Sequence, residues 1–225
     1  MDFSEKIYIA GSNGMVGSAI RRKLILNGYG KEELGGKIFC PTRSQLNLLN
    51  YKSLEDWYEI NKPSIVIIAA AKVGGILANS NKPYDFIFEN LKIETNIIDL
   101  SRKYKVKKIL FLGSSCIYPK FSKQPIKEEY LLESYLEETN QWYAIAKISG
   151  IKLCESLYVQ YGINAISLMP CNLFGPGDNY DLSNSHVLPA LIRKFETAKM
   201  NKDKKVICWG TGEPLREFLY VDDLA

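Results

Sequence analysis

The chain has 225 residues, of which 46% are hydrophobic and 24% are charged, and its formal net charge is +4. That length and balance predict a soluble globular protein with a substantial core, made of one large domain or of one domain with a smaller lobe. The small net charge gives no single-sign field that would favour nucleic acid or a membrane surface as the main partner. Five cysteines without a CxxC spacing indicate neither a disulfide framework nor a metal site.

The N-terminal segment MDFSEKIYIAG is acidic before it is apolar, and it lacks the layout of a signal peptide. No apolar run approaches the ~20 residues that a membrane-spanning helix needs. With the unpaired cysteine pattern, these features predict a protein of the reducing cytoplasm that is neither exported nor anchored.

Short β-branched runs alternate with longer amphipathic stretches along most of the chain. The predicted strands are 6–10, 37–40, 64–70, 107–113 and 164–169, and the predicted helices are 14–27, 52–61, 84–104 and 140–161. Pro83 suits the first turn of its helix, while Gly28 and Gly162 suit C-terminal caps. This alternation predicts an α/β fold with a doubly wound parallel sheet, whose ligands bind beyond the carboxyl ends of the strands.

The composition changes after Met169, where PCNLFGPGDNYDLSNSH predicts a long functional loop. Beyond it we predict a helix at about 186–199 and a short strand in KVICWG (205–210). REFLYVDDLA predicts a strand that runs into a new helix. We therefore expect a first domain at 1–171 and, at 172–225, part of a smaller lobe that is incomplete as given.

Three glycines at intervals of three, Gly11, Gly14 and Gly17, follow the first predicted strand and lead into a helix. The missing side chains and the partial positive charge of a helix N-terminus let backbone amides approach a diphosphate. The spacing is GxxGxxG and not GxGxxG, so its place in the first strand-to-helix turn carries the prediction of a dinucleotide site over a plain tight turn. We expect Met15 and Val16, which lie inside this loop, to contact the cofactor as well.

The second predicted strand ends in FCPTRSQLN, which has no Asp or Glu and contains Arg43. An acidic residue at this place bonds the ribose hydroxyls of NAD, whereas a nearby arginine accepts the extra phosphate of NADP. The sequence therefore favours NADP(H), with an ordinary loop arginine as the alternative for Arg43.

Tyr143 and Lys147 are four residues apart on a predicted helix, so they lie on one face. A fixed ammonium ~4 Å from a phenol would bring the phenol's pKa down from about 10 toward neutrality and make it a proton donor and acceptor beside a carbonyl. Ser114 stands at a strand end, in GSSCIYP. For Asn96, in the third predicted helix, we expect an ordinary surface amide, with support of this relay as the alternative.

With these residues in place, the sequence resembles the extended short-chain dehydrogenase/reductase family, which is built on a GxxGxxG loop, a serine and a YxxxK pair. The resemblance covers essentially the whole chain, and it implies an NADP-binding Rossmann domain at 1–171 and part of a substrate lobe at 172–225. It also implies that Tyr143 protonates the reduced oxygen, that Lys147 holds the nicotinamide ribose, and that Ser114 bonds the substrate oxygen.

Two segments, NLFGPGDNY (172–180) and GTGEPLREFLYVDDLA (210–225), resemble the nucleotide-sugar branch of that family. The resemblance implies that four residues bind the substrate: Asn172, Lys194, Trp209 and Arg216. Arg216 would hold diphosphate oxygens in a bidentate manner, with a structural salt bridge as the alternative. Asn13 and Lys194 depart from the family, because arginines are expected at both positions.

Four more segments are similar to the family members that convert GDP-4-keto-6-deoxy-D-mannose to GDP-L-fucose: AAAKVGGILANSNKPYDFIFENL, GSSCIYPK, YAIAKISGIKLCESLYVQYG and NSHVLPALIRKF. That reaction inverts C3 and C5 and then reduces C4 with NADPH. Because protons beside a C4 ketone are acidic, the resemblance implies that Cys116 is the base and His186 the acid of the inversions. Without the resemblance, a buried structural thiol and a hydrogen-bonded structural histidine are the usual interpretations.

The resemblance further implies a GDP-sugar substrate and a homodimer in which the helices at 84–104 and 140–161 pair between subunits. Two alternatives stay open. The first is another nucleotide-sugar 4-epimerase or 4,6-dehydratase, which would share the Ser, Tyr and Lys residues but has no need of Cys116 and His186. The second is a non-catalytic NADP-binding protein, which would not need the catalytic trio.

Overall fold

The computed structural model describes residues 1–182 and 184–225. Its strands are β1 (Lys6–Ala10), β2 (Lys37–Phe39), β3 (Ile65–Ile68), β4 (Lys108–Leu112), β5 (Asn164–Leu168), β6 (Asn172–Phe174) and β7 (Phe218–Tyr220). Its α-helices are α1 (Met15–Leu26), α2 (Tyr51–Asn61), α3 (Ile76–Asn81), α4 (Pro83–Lys103), α5 (Gln141–Tyr161), α6 (Val187–Asn201) and α7 (Val221–Leu224).

The first five strands form one parallel sheet in the order β2-β1-β3-β4-β5. Every residue of β3 is buried, and so is every residue of β1 after the first. Such continuous burial is typical of strands that are covered on both faces. The strand order reverses between β1 and β3, and the crevice beyond their carboxyl ends is where an open α/β sheet binds its ligands. The predicted doubly wound α/β fold is therefore confirmed.

The strands and helices predicted up to residue 169 are all present, with bounds that shift by at most two residues. One prediction is wrong: residues 205–210 form no strand, because no neighbouring strand in the described part of the chain offers them a backbone to pair with. The strand and helix predicted at the end of the sequence are present as β7 and α7. β7 pairs in parallel with β6 in a separate two-stranded sheet.

The layer formed by α4, α5 and β4 supports the site described below. Side chains from both helices pack in one apolar cluster around Phe111 of β4. α5 approaches this cluster most closely at Gly150, where an added Cβ would lie 2.3 Å from Cζ of Phe111. Asn96 of α4 is buried and donates a hydrogen bond to the carbonyl of Leu48 at 2.8 Å. The prediction of a surface amide is wrong there, because the loop before α2 covers this side of α4.

Among the helices that the described residues form, none combines the length and the apolar character needed to cross a membrane.

Gly150→Ala is expected to lower the free energy of unfolding by about 1–3 kcal/mol, because the new methyl group collides with the Phe111 ring. The higher helix propensity of alanine offsets about 1 kcal/mol of the collision. Urea denaturation followed by circular dichroism measures the change, with Ser156→Ala at an exposed position of α5 as the control. Equal unfolding midpoints for the two variants would contradict the close packing at Gly150.

Candidate functional site

The glycine loop between β1 and α1 turns tightly at the carboxyl edge of the sheet. Gly11 has a φ of +83°, and a Cβ there would lie 2.6 Å from the amide nitrogen of Ala70, beyond the end of β3. A Cβ at Gly17 would lie 2.2 Å from the carbonyl oxygen of Gly11. Neither position has room for a side chain. The two glycines therefore let the loop pack directly against the first turn of α1, next to the crevice between β1 and β3.

Gly14 and the first turn of α1 form the outer rim of this loop. Gly14 is exposed, caps α1 with extended backbone, and donates its amide to the carbonyl of Gly11 at 3.0 Å. Met15 and Val16 begin α1 and are half-buried. The amides of a first helical turn have no partner within the helix and carry partial positive charge, so this rim can hold a diphosphate.

Arg43 lies in the loop after β2, beside the glycine loop, because β2 is the neighbour of β1 in the sheet. Its side chain is exposed and makes no ion pair with the residues that the structure describes. The loop from β2 to α2 contains no Asp or Glu. A free guanidinium without an acidic neighbour suits a phosphate better than a ribose hydroxyl.

Ser114, Cys116, Tyr143 and Lys147 come together at the carboxyl end of β4. Ser114 caps a 3₁₀ turn at Ser115–Ile117, and its Oγ accepts a hydrogen bond from the amide of Cys116 at 3.4 Å. α5 packs against this turn and brings Tyr143 and Lys147 to it. The Nζ of Lys147 lies 5.9 Å from the centre of the Tyr143 ring.

Burial dominates the acidity of this cluster. It raises the pKa of the Cys116 thiol by more than the Ser114 hydrogen bond and the Lys147 charge lower it. It also raises the pKa of the Tyr143 phenol, and the charges of Cys116 and Glu94 add to that rise. The expectation that Lys147 brings the pKa of Tyr143 down toward neutrality is therefore wrong for this structure, because burial favours the protonated form of the phenol.

A smaller cause of the Tyr143 rise is the charge of Glu94 of α4, which the sequence reasoning did not identify. Its Oε1 lies 3.0 Å from the Nζ of Lys147, and the two side chains are only 1% and 2% exposed. The same Nζ lies 4.5 Å from the centre of the Phe111 ring. Burial raises the pKa of Glu94 to about 7, although Lys147 partly offsets the rise. The ammonium charge is thus opposed by a carboxylate and does not act on the phenol alone.

The sequence did contain a signal for Glu94. It lies four residues after Asn90 and three before Ile97, and all three are buried on α4. A carboxylate on the buried face of a helix is rare unless it is paired, so its position called for a basic partner elsewhere in the fold.

His186 is exposed and immediately precedes α6. The segment before it packs on the loop that follows β3. The amide of Gly75 donates to the carbonyl of Asn184 at 3.2 Å, and a Cβ at Gly75 would lie 2.7 Å from the carbonyl oxygen of Ser185. His186 is thereby held near the carboxyl edge of β3, and no hydrogen bond joins it to Cys116 in the described part of the chain.

The loop under that contact is fixed by Asn90 of α4. The Oδ1 of Asn90 accepts from the amide of Lys72 at 2.8 Å, and its Nδ2 donates to the carbonyl of Lys72 at 3.0 Å. The Nζ of Lys72 pairs with Asp85 and Glu89 on the same helix. These bonds tie the backbone after β3 to α4.

The four residues predicted to bind the substrate fall in two places. The Nζ of Lys194 lies 4.4 Å from the centre of the Trp209 ring, so these two side chains meet. The Nδ2 of Asn172 donates to the carbonyl of Glu217 at 3.0 Å, next to Arg216 in the chain. The side chain of Arg216 is exposed and makes no ion pair with any residue the structure describes.

Within residues 1–182 and 184–225, no group of His, Cys, Asp and Glu side chains is arranged to hold a metal ion.

Comparison with known proteins gives consistent results. The family model described as "NAD dependent epimerase/dehydratase family" matches residues 7–225. The chain is 54% identical over 224 residues to GDP-L-fucose synthase 1 of Arabidopsis thaliana, covering 100% of this chain and 68% of that protein. It is 52% identical over 222 residues to GDP-L-fucose synthase of Escherichia coli (strain K12), covering 98% of this chain and 67% of that protein.

A solved structure of similar fold is that of a GDP-L-fucose synthetase from Naegleria fowleri bound to NADP. It matches with a TM-score of 0.86 and 30% identity, covering 100% of this chain and 71% of that chain.

Cys116 is expected to react with iodoacetamide at least about tenfold more slowly than the exposed Cys208 near neutral pH, because only the thiolate reacts and burial raises the pKa of the Cys116 thiol. Its labelling rate should keep rising as the pH passes the ordinary thiol value of about 8.5. Peptide mass spectrometry measures both rates in one sample. A Cys116 rate that levels off below that value would contradict the raised pKa.

Proposed function

Since the chain belongs to the NAD dependent epimerase/dehydratase family, we propose that it catalyses the GDP-L-fucose synthase reaction. In this reaction GDP-4-keto-6-deoxy-D-mannose is inverted at C3 and C5 and then reduced at C4 with NADPH, giving GDP-L-fucose. The carrying observation is that Cys116 lies in the same strand-end cluster as Ser114, Tyr143 and Lys147. Reduction needs the other three residues, whereas inversion beside a ketone needs an additional group that exchanges protons with carbon.

The residues at the carboxyl edge of β1 and β2 fit NADP(H), which supplies the hydride for C4 when bound. The open rim at Gly14 and the unpaired Arg43 support this choice, as does the NADP-bound relative. The groups that would hold the diphosphate are Gly11, Gly14, Met15, Val16 and Gly17. Arg43 would hold the additional phosphate, and Tyr143 and Lys147 the nicotinamide ribose.

In the reduction, Tyr143 gives its proton to the C4 oxygen. A proton donor has to be protonated before the reaction begins, and the raised pKa of Tyr143 keeps its phenol in that form. Ser114 donates a hydrogen bond to the same oxygen and fixes its position. The pair thereby stabilises the negative charge that develops on this oxygen in both reactions.

In each inversion, Cys116 removes the proton beside the ketone on one face of the sugar, and His186 returns a proton on the other face. Burial opposes loss of the Cys116 proton, while the Lys147 charge and the Ser114 hydrogen bond favour it. The enolate oxygen meets Ser114 and Tyr143. Exchange with solvent then removes the proton from Cys116 and returns one to His186 before the second carbon reacts.

Asn172, Lys194, Trp209 and Arg216 bind the GDP part of the substrate in this proposal. The exposed guanidinium of Arg216, which donates only to the carbonyl of Leu215 among the described residues, suits the diphosphate because it can bond two phosphate oxygens at once. Lys194 adds a second positive charge beside the exposed ring of Trp209.

The assembly that we propose is a cytoplasmic homodimer, with a nucleotide-binding domain at 1–171 and a substrate lobe that begins at 172. The dimer would pair α4 and α5 of the two subunits. Large exposed apolar side chains on these helices support that arrangement, namely Tyr84, Phe88, Tyr158 and Tyr161. The free cysteines are consistent with a reducing compartment.

The protein, at its natural length, is expected to oxidise NADPH when GDP-4-keto-6-deoxy-D-mannose is added, because ketone reduction consumes one NADPH per sugar. Absorbance at the NADPH band measures the rate, and chromatography identifies GDP-L-fucose. A UDP-4-keto sugar is the control for the nucleotide. Turnover of the UDP sugar without turnover of the GDP sugar would refute the proposal.

Cys116→Ser is expected to slow entry of solvent deuterium at C3 and C5 by at least about 10²-fold, because a hydroxyl is a far weaker acid than a thiol and general base catalysis contributes that much. Binding of NADPH, followed by its fluorescence, should stay within about twofold of wild type, because the glycine loop is untouched. Cys154→Ser, a buried cysteine of α5, is the control for a lost thiol. Unchanged deuterium entry in Cys116→Ser would return this residue to a packing role.

A further inference from the structure

We propose that Glu94 is a positioning residue of the reductase centre, which fixes the ammonium of Lys147 beneath Tyr143 and balances its charge. This inference rests on the proposed function. Its main effect falls on the reduction of C4, in which Tyr143 gives up its proton, whereas in the inversions Tyr143 only bonds the enolate oxygen.

The geometry ties Glu94 to Lys147 and to little else. Among the residues that the structure describes, no hydrogen-bond donor other than the Lys147 ammonium approaches either carboxylate oxygen of Glu94. Oε1 faces that ammonium at 3.0 Å, and Oε2 lies against the backbone of α5, where a Cβ on Gly150 would be 2.9 Å away. The Glu94 carboxylate therefore has Lys147 as its one polar partner in the described structure. The absence of a side chain at Gly150 leaves space for the carboxylate.

A purely structural ion pair is the weaker explanation. Burying two charges costs several kcal/mol per ion before their attraction is counted, and replacing a buried pair by apolar residues is often neutral or stabilising. Stability alone therefore does not require Glu94 in the layer between α4 and α5. The partner is also the lysine next to Tyr143, whose ammonium has to stay in one place for the reaction.

The charged and titratable groups around Glu94 come from two directions. α5 presents Lys147, Tyr143 and Cys154, and the turn after β4 presents Cys116, which interacts with Tyr143. Lys147 is the only cation among these four. Its charge lowers the pKa of Cys116, and the charge of Glu94 raises the pKa of Tyr143.

Two consequences follow for the reaction. The carboxylate holds the Lys147 ammonium in one position between α4 and α5, so the lysine side chain does not change its conformation when a ligand binds. It also keeps Tyr143 protonated, which a proton donor requires. Loss of the carboxylate charge would leave a buried cation without a counter-ion, which drives the lysine to lose its proton or to move.

Glu94→Gln tests this inference because it keeps the shape of the side chain and removes its charge. Glu5→Gln is the matched control, since Glu5 is also buried and pairs with Lys107 at 3.0 Å. That pair lies at the start of β1 and β4, at the opposite edge of the sheet. Four quantities are measured in wild type and both variants: the unfolding midpoint, kcat for NADPH oxidation with the GDP sugar, KM for that sugar, and deuterium entry at C3 and C5 with NADP⁺ present.

Glu94→Gln is expected to lower kcat about 10- to 100-fold, because misplacing a reacting group by about an ångström costs up to ~10²-fold. KM for the sugar should stay within about threefold of wild type, and deuterium entry should fall less than kcat, because the inversions take no proton from Tyr143. Glu5→Gln should match wild type in kcat, KM and deuterium entry. A full kcat for Glu94→Gln, or an equal loss of reduction and deuterium entry, would overturn the inference. Wild-type protein that fails to oxidise NADPH would instead refute the proposed function.

Discussion

The free-energy cost of burying the Lys147 ammonium constrains how α4 and α5 pack in this protein. The Nζ of Lys147 is held between α4 and α5, where it meets a carboxylate and the face of a phenylalanine ring. An unpaired charge at this depth would be neutralised or expelled, so Glu94 has to face it from the neighbouring helix. The two helices approach closely because Gly150 presents no side chain to Phe111. The packing of α4 against α5 therefore also determines where the Lys147 ammonium lies.

The topology of the parallel sheet brings the other candidate site residues together. The glycine loop follows β1, the loop that supports the segment before His186 follows β3, and the turn with Ser114 and Cys116 follows β4. In a parallel sheet all these connections emerge at the carboxyl edge, so residues more than a hundred positions apart share one region. The same topology sends the Glu5–Lys107 pair to the opposite edge, where the chain carries none of the residues assigned to the reaction.

Features that depend on local pattern could be predicted from the sequence. The five strands of the main sheet are apolar runs. The glycine loop lies in the first strand-to-helix turn, and that position indicates a dinucleotide site. Features set by distant neighbours could not be predicted. The segment at 205–210 has a short apolar run like that of a strand but no partner strand among the described residues, and Asn96 is polar yet lies under the Leu48 loop. The pKa of Tyr143 could not be predicted from its spacing to Lys147, because burial raises it and the charges of Cys116 and Glu94 add to the rise.

The central claim is that one strand end serves two reactions, proton exchange beside a ketone and reduction of that ketone. The most direct test is the isotope pattern of the product made in heavy water with unlabelled NADPH and GDP-4-keto-6-deoxy-D-mannose, read by proton nuclear magnetic resonance. The account predicts GDP-L-fucose with deuterium at C3 and C5 and with protium at C4, because only the C4 hydrogen comes from the cofactor. A reduced product that carries protium at C3 and C5 would contradict it, because such a product arises by reduction alone.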